Sequence, residues 1–93
     1  MKQFVLFYES ADDVVTKAPA VFPEHLARLR EFRARGALLM VGTFDDPQRE
    51  GSMAMFSTRE AAEEFATGDP FVVKGVVKRW TIRGWNEAIA TIG

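Results

Sequence analysis

Cysteine is absent from this sequence of 93 residues, and histidine and tyrosine each occur only once. The lack of cysteine excludes disulfides, thiol nucleophiles and thiolate metal sites, and it favours a cytoplasmic location. One histidine among scattered carboxylates gives no convincing metal-ligand spacing. Neither a glycine-rich phosphate loop nor a serine-nucleophile elbow is present. We therefore expect neither a metal nor a cofactor.

The sequence also has little net charge and no long hydrophobic run. Its 12 basic and 13 acidic residues leave a formal net charge of -1, so nucleic acid is not an expected partner. The arginines of residues 28–35 lie near Glu24 and Glu31, which indicates ion pairs on a solvated helix face. The apolar start at residues 2–8 is too short for a signal peptide, and no stretch approaches the roughly 20 apolar residues of a membrane span. We expect a soluble protein without a membrane partner.

What the sequence does contain is a regular succession of strand and helix patterns. Its length suits a single domain, residues 1–93. Hydrophobic periodicity, capping residues and turn residues predict the elements. In chain order these are a strand at 2–8, a loop at 9–20, a helix from Pro23 that Gly36 closes, a strand at 37–43 suited to burial, a polar turn at 45–51, a strand at 52–56, a helix opened by a Ser57–Glu60 capping box and broken at 68–71, one further turn at 72–74, and a strand at 76–85.

The order strand, helix, strand, strand, helix, strand is typical of one architecture. It predicts an α+β class with a ferredoxin-like, split βαβ arrangement, in which helices cover one face of an antiparallel sheet. Residues 86–93 form a tail that can pack on its own subunit or on a neighbour.

The predicted strands are apolar on both faces, although a sheet with helices on one side should alternate polar and apolar residues. In the first strand, Leu6 and Tyr8 alternate with Val5 and Phe7, and all of them favour burial. A large exposed apolar surface usually marks an interface. We therefore predict a homodimer in which two sheets meet as a shared α/β barrel. The alternative is a monomer with an apolar face.

The main candidate for chemistry is His25, which lies within the apolar arc of the first helix. A buried imidazole needs a partner for each ring nitrogen, and a carboxylate on one nitrogen leaves the other free to exchange a proton. Asp69, in the break after the second helix, is the predicted partner, because helices side by side on one sheet bring their ends together. Two plainer interpretations stay open: His25 as an ordinary core residue, and Asp69 as a turn residue before Pro70.

Aromatic residues provide weaker candidates for binding. Tyr8, at the end of the first strand, either hydrogen-bonds a ligand or packs. Phe71, Trp80 and Trp85 either wall an aromatic-binding cleft or serve the core and the dimer interface.

Several residues together resemble the YCII-related (YciI-like) family. They are His25-Leu26-Ala27-Arg28-Leu29, Gly36, Leu38-Leu39 with Gly42, and Asp69-Pro70-Phe71, and the resemblance covers nearly the whole chain. It implies a dimeric ferredoxin-like α/β barrel whose cleft holds a histidine–aspartate pair, here His25 and Asp69. One branch of that family includes dehydrochlorinases of chlorinated hydroxyhydroquinones, and most members have no assigned reaction. We take Tyr8, Gly42, Pro70 and Phe71 as the candidate substrate-binding residues.

The sequence therefore predicts a small cofactor-independent enzyme of lyase or isomerase type. His25 would move a proton on a phenolic or enolisable small molecule, while Asp69 orients the imidazole. The alternative from another class is a non-catalytic, dimeric accessory module that binds a small anionic or aromatic ligand. A third interpretation makes the pair a structural hydrogen bond between the helices.

Overall fold

Four strands and four helices follow one another along residues 1–89, the part of the chain that the computed structural model describes. They are β1 (Lys2–Ser10), α1 (Val14–Ala34), β2 (Leu38–Thr43), α2 (Pro47–Glu50), β3 (Ser52–Phe56), α3 (Arg59–Gly68), α4 (Pro70–Val73) and β4 (Val77–Asn86). The strands form one antiparallel sheet in the order β2-β3-β1-β4. The predicted α+β ferredoxin-like fold is confirmed. Of the predicted tail, Asn86 closes β4, and residues 90–93 lie outside the described residues.

The core lies between the helices and one face of the sheet. Alternation along β1 directs Leu6 and Tyr8 into this core, where both are buried. The centre is an aromatic cluster of Phe32 from α1, Phe56 from β3 and Phe65 from α3, each at most 1% exposed. Their ring centroids lie 5.1 to 6.4 Å apart, the range of favourable aromatic contacts. The cluster fixes the two long helices against the sheet.

Helix α1 begins nine residues before Pro23, so the predicted loop at 9–20 was wrong over most of its length. The cause is a tertiary cap from Gln48. Its side-chain oxygen accepts a hydrogen bond from the Val14 N–H at 2.9 Å, and its amide donates to the Ala11 carbonyl at 2.9 Å. Because the helix begins at Val14, Pro19 lies inside it, although each internal proline removes one backbone hydrogen-bond donor. A cap 34 residues away leaves no mark on local periodicity.

The capping residue of α3 is Thr58, one position later than the predicted Ser57. The Thr58 hydroxyl accepts a hydrogen bond from the Ala61 N–H at 3.1 Å. Both residues can serve as caps chemically, so the choice depends on where β3 ends and the chain turns.

Strand β2 is an exposed edge strand within one chain, which corrects the prediction of a buried strand. Leu39, Met40 and Val41 are 42%, 46% and 48% exposed. Its apolar composition indicated burial, but β2 lies at the margin of the sheet and pairs only with β3. The sequence shows that these residues favour an apolar environment, and only the strand order shows that one chain does not provide it.

The face of the sheet away from the helices is apolar on three strands. Phe7 and Val5 of β1 lie opposite Met53 and Met55 of β3, respectively. On the other side of β3, Met55 lies opposite Met40 of β2. Strand β4 adds mainly polar side chains to this face, together with Trp85 at 46% exposure. We refer to these six residues as the open apolar face; neighbouring side chains already cover Val5, which is 5% exposed.

Candidate functional site: a buried tyrosine–aspartate–histidine cluster

The structure brings His25 of α1 and Asp69 into direct contact. His25 Nδ1 lies 2.8 Å from Oδ1 and 3.0 Å from Oδ2 of the carboxylate. Asp69 is completely buried and His25 is 8% exposed. Because Nδ1 faces a carboxylate, the hydrogen-bond pattern assigns the proton of the neutral imidazole to Nδ1 and leaves Nε2 as the acceptor. This is the tautomer that proton abstraction through Nε2 requires.

The local sequence explains how the Asp69 carboxylate is positioned. It ends α3 and begins α4, and its backbone is extended (φ -67, ψ 126), the conformation favoured before a proline. Pro70 then occupies the first turn of α4. The carboxylate also accepts a hydrogen bond from the Phe71 N–H at 3.1 Å. The interpretation of Asp69 as a turn residue thus accounts for its hydrogen bond to the Phe71 N–H. It does not account for the contact with His25.

Tyr8 is the third member of the cluster. Its hydroxyl donates to Asp69 Oδ2 at 2.6 Å, and its side chain is buried. Burial first, and then the charge and hydrogen bond of Asp69, raise the pKa of the phenol far above its ordinary value; Arg28 opposes this weakly. Sequence reasoning proposed a ligand contact or packing for Tyr8 and missed this bond. The available signal was the position of Tyr8 at the end of a strand, on its helix-facing side.

Phe71 lies flat against the imidazole. The two rings are 3.8 Å apart and inclined by only 3°. Phe22 and Phe65 contact the imidazole from other directions, with centroids at 6.3 and 6.2 Å. These contacts fix the orientation of the imidazole ring.

Arg28, one helical turn after His25, docks on the end of α3. It donates to the carbonyls of Glu64 at 2.7 Å and Phe65 at 3.2 Å, which lie immediately before the Asp69 turn. The contact satisfies carbonyls that the helix end leaves free, and it ties α1 to α3 beside the cluster. Sequence reasoning placed Arg28 on a solvated face. The available signal was that Arg28 follows His25 by three residues, which places both on the same face of α1.

The other charges of this region pair differently from the sequence expectation. Arg35 forms a two-pronged ion pair with Glu64, with both distances 3.0 Å, and Glu24 pairs with Lys74 at 2.9 Å. The predicted pairing of Glu24 with arginines of its own helix was therefore wrong, because Lys74 of a neighbouring segment offered a better-placed partner. Both observed pairs are exposed and contribute little to stability.

Two hollows that share lining residues adjoin the cluster. His25, Tyr8 and Ser52 line a small one of about 20 Å³, room for about one water molecule. Tyr8 and Ser52 also line a larger cleft of about 270 Å³, whose walls include Phe22 and Phe71. Of the three cluster residues, Tyr8 lines both spaces, and His25 lines the small one.

Not every candidate residue lies there. Pro70 is adjacent to the cluster in the chain, whereas Gly42 lines a different hollow, of about 300 Å³, with Phe44 and Met53. A further hollow, of about 410 Å³, lies between α1 and β2, and its lining includes neither His25 nor Asp69.

Within residues 1–89, no three histidine, aspartate or glutamate side chains converge as metal ligands. None of the helices in the same part of the chain has the length and apolar character needed to cross a membrane.

The single tyrosine gives a direct test of this cluster. We expect Tyr8 to remain un-ionised in the folded protein at pH values where a free phenol, of pKa 10.0, has lost its proton. Above that pKa the unfolded chain has released its phenolic proton and the folded chain has kept it. The contribution of Tyr8 to stability is therefore complete below pH 10 and declines by about 1.4 kcal/mol per pH unit above it.

The measurement is an alkaline titration followed by tyrosinate absorbance in the near ultraviolet, with unfolding monitored in parallel by circular dichroism. Absorbance should rise only as the protein unfolds. In Tyr8→Phe the free energy of unfolding should depend less steeply on pH in this range. Tyrosinate formation near the ordinary value while the fold persists would contradict the assigned bond.

Comparisons with known proteins agree with this architecture. The sequence matches the YCII-related domain over residues 1–86. It is 31% identical to the protein YciI of Escherichia coli over 94 residues, covering 90% of this chain and 96% of that protein.

Two solved structures share the fold. One is TftG, a 5-chloro-2-hydroxyhydroquinone dehydrochlorinase from Burkholderia phenoliruptrix in complex with 2,5-dihydroxybenzoquinone. Its TM-score is 0.74 at 18% identity, over 92% of this chain and 95% of that one. The other, a dimeric protein of unknown function and ferredoxin-like fold from Bacteroides fragilis, has a TM-score of 0.52 at 13% identity, over 92% and 95% of the two chains. The domain match and the identity to YciI together establish that this chain belongs to the YCII-related family.

Proposed function

We propose that this protein is a small, cofactor-independent enzyme of lyase or isomerase type. In this proposal His25 transfers a proton on a phenolic or enolisable small molecule, and Asp69 holds the imidazole in its reactive tautomer. The observation that carries the proposal is the 2.8 Å contact between His25 Nδ1 and Asp69 Oδ1, beside a small hollow that shares Tyr8 and Ser52 with a larger cleft. Candidate binding residues are Tyr8, Pro70 and Phe71, and Gly42 lies in a separate hollow.

The proposed chemistry follows from the two ring nitrogens of His25. Nε2 accepts a proton from the substrate, and the resulting imidazolium is stabilised by the Asp69 carboxylate. In an isomerase the same proton returns to another substrate atom. In a lyase the freed electron pair forms a new π bond, and the leaving group departs with its own bonding pair.

The fold shared with TftG supports the lyase version and suggests a first substrate. We expect the protein to release chloride from 5-chloro-2-hydroxyhydroquinone faster than buffer does. The expelled chloride takes the C–Cl bonding pair, and the lost proton passes through His25 to water. Chloride release is measured directly, with heat-unfolded protein as the control. Deuterium uptake by enolisable ketones in heavy water tests the isomerase version.

A non-catalytic binding module is the competing function. The hollow at His25, about 20 Å³, admits water but not a ring, which favours a ligand that stays in the larger cleft. In this function a protonated His25 attracts the ligand as a nearby charge, and no proton is transferred. This function predicts ligand affinity that depends on pH, with no turnover of any bound molecule. The absence of a cofactor and the cytoplasmic location stay predictions.

We also propose that two copies pair through the open apolar face. The apolar side chains on β1, β3 and β2 form one continuous surface, and Trp85 extends it onto β4. A surface of this kind exposed on a monomer is an aggregation liability, so pairing is the simplest way to cover it.

Trp85→Glu should convert the dimer into a monomer, because it places a charge in a desolvated interface. The fold should persist, since the Trp85 side chain is 46% exposed within one chain. Sedimentation of both proteins measures the change. Val73→Glu is the matched control: Val73 is 68% exposed on α4, on the helical side, so its variant should remain dimeric. A wild-type protein that sediments as a monomer would contradict the pairing.

A further inference from the structure

The larger cleft beside the cluster has uncharged walls. Its volume is about 270 Å³, and apolar side chains such as Phe22 and Phe71 dominate its surface. Among the residues that the structure describes there, none is charged. An ionised molecule entering the cleft would lose hydration without meeting a counter-charge in its walls. The cleft therefore favours an uncharged small molecule.

Four residues of this cleft carry hydroxyls, Tyr8, Ser10, Thr43 and Ser52, and the protons of the first two are already engaged. Tyr8 donates its only hydroxyl proton to Asp69 Oδ2 at 2.6 Å. Ser10 donates its hydroxyl proton to the carbonyl of Pro47, also at 2.6 Å. A hydroxyl has one proton and two lone pairs, so each oxygen can still accept a hydrogen bond but has none left to donate. Both residues thus offer acceptors to the cleft.

His25 presents the same polarity from the adjoining hollow. Its Nδ1 proton faces Asp69, so Nε2 of the neutral ring carries a lone pair. The hollow and the cleft share Tyr8 and Ser52, so acceptors of the two spaces lie next to each other. A ligand that reaches both meets lone pairs from the phenol and from the imidazole.

We infer that this cleft binds an uncharged, largely apolar molecule that donates hydrogen bonds through hydroxyl groups, and that Tyr8 is the acceptor that selects it. The inference rests on the proposed function, because it takes the space beside His25 as the ligand site. A carbonyl or ether oxygen directed at Tyr8 would bring lone pairs together with no proton between them. The hydroxyl form of a ligand therefore binds more tightly than its methylated form.

The test uses phenol, anisole and benzoate as probes, with affinities measured by NMR titration of the whole protein. Anisole has the ring of phenol but no donor, and benzoate carries a charge. We expect phenol to bind wild-type protein more tightly than either of the others. In Tyr8→Phe the ratio of phenol to anisole affinity should fall by about three- to tenfold, the effect of losing one hydrogen bond. Anisole itself should bind both proteins equally.

Ser57→Ala is the matched control, because it removes an exposed hydroxyl that does not line the cleft, and it should leave the ratio unchanged. The wild-type comparison needs no variant, so the inference stays testable if Tyr8→Phe does not fold. Equal or tighter binding of anisole or benzoate by the wild type would overturn it, as would an unchanged ratio in folded Tyr8→Phe.

Failure of the inference and failure of the proposed function give different results. A phenol preference that depends on Tyr8, in a protein that turns over neither the chlorinated probe nor an enolisable ketone, would count against the proposed function alone. Turnover that requires His25, with no role for Tyr8 in the affinity ratio, would reject the inference alone.

Discussion

Replacement of His25 by glutamine is expected to reduce turnover by about 10²- to 10⁴-fold, the usual contribution of a positioned proton-transfer group. Glutamine can still hydrogen-bond the Asp69 carboxylate, but its amide does not accept and return a proton near neutral pH. The observed geometry gives His25 one nitrogen for Asp69 and another for the substrate. Chloride release from 5-chloro-2-hydroxyhydroquinone measures the loss.

Folding of the variant must be controlled, because His25 is buried and stacked on Phe71. Circular dichroism and the midpoint of urea unfolding provide that control. His25→Ala adds a second one: it leaves space beside Phe71, so added imidazole should restore part of the turnover if the lost group acts on a proton. Unchanged turnover in a folded His25→Gln protein would reject the catalytic role. Lost turnover without imidazole rescue in His25→Ala would favour a structural role.

Replacement of Asp69 by asparagine is expected to affect both stability and chemistry. The carboxylate accepts hydrogen bonds from the Tyr8 hydroxyl, the Phe71 N–H and His25 Nδ1. An asparagine side chain of the same shape replaces one acceptor oxygen by a donor, so at least one of these three donors loses its partner. Because the site is completely buried, the free energy of unfolding should fall by about 1–3 kcal/mol.

The chemical effect of Asp69→Asn should be larger. An amide N–H directed at His25 Nδ1 favours the opposite tautomer, with the proton on Nε2, where it blocks proton abstraction. In a serine protease, the same substitution at the aspartate that holds the catalytic histidine lowers turnover by about 10⁴-fold for this reason. Nitrogen chemical shifts of the imidazole report the tautomer, and chloride release reports the activity.

The same variant separates the three interpretations of the pair. A proton-transfer site loses turnover and stability together. A docking site loses pH-dependent affinity for its ligand. A purely structural bond loses stability alone, and ligand binding and turnover in Asp69→Asn then match those of the wild type.

The fold was predictable where local patterns and tertiary structure agree. Strand β3 has the predicted bounds, because its length, flanking turns and apolar composition indicate the same element. The end of α1 was also predictable: Gly36 adopts a φ of 76°, a conformation that glycine tolerates better than other residues. The start of α1 was not, because the Gln48 side chain caps it from another part of the chain.

The candidate site was predictable in its two central residues and not in their environment. His25 stood out as the single histidine on an apolar helix face, and Asp69 as a carboxylate before a proline at the end of the neighbouring helix. Tyr8 was not identified as the second partner of Asp69, because its place in a predicted strand does not show that β1 meets the α3–α4 turn, 61 residues away. The docking of Arg28 on the end of α3 depended in the same way on contacts between distant elements.

The sequence by itself determined the succession of strands and long helices along the chain. It also determined which residues require burial, and it identified the histidine and the carboxylate that meet. Side-chain periodicity and the backbone preferences of proline and glycine are local properties, so they can be read along the chain. Only the tertiary structure decided that β2 lies at an edge, that Gly42 faces a different hollow from the cluster, and that the Tyr8 proton is committed to Asp69. Hydrogen bonds and burial depend on distances between residues far apart in the chain, and local patterns do not encode those distances.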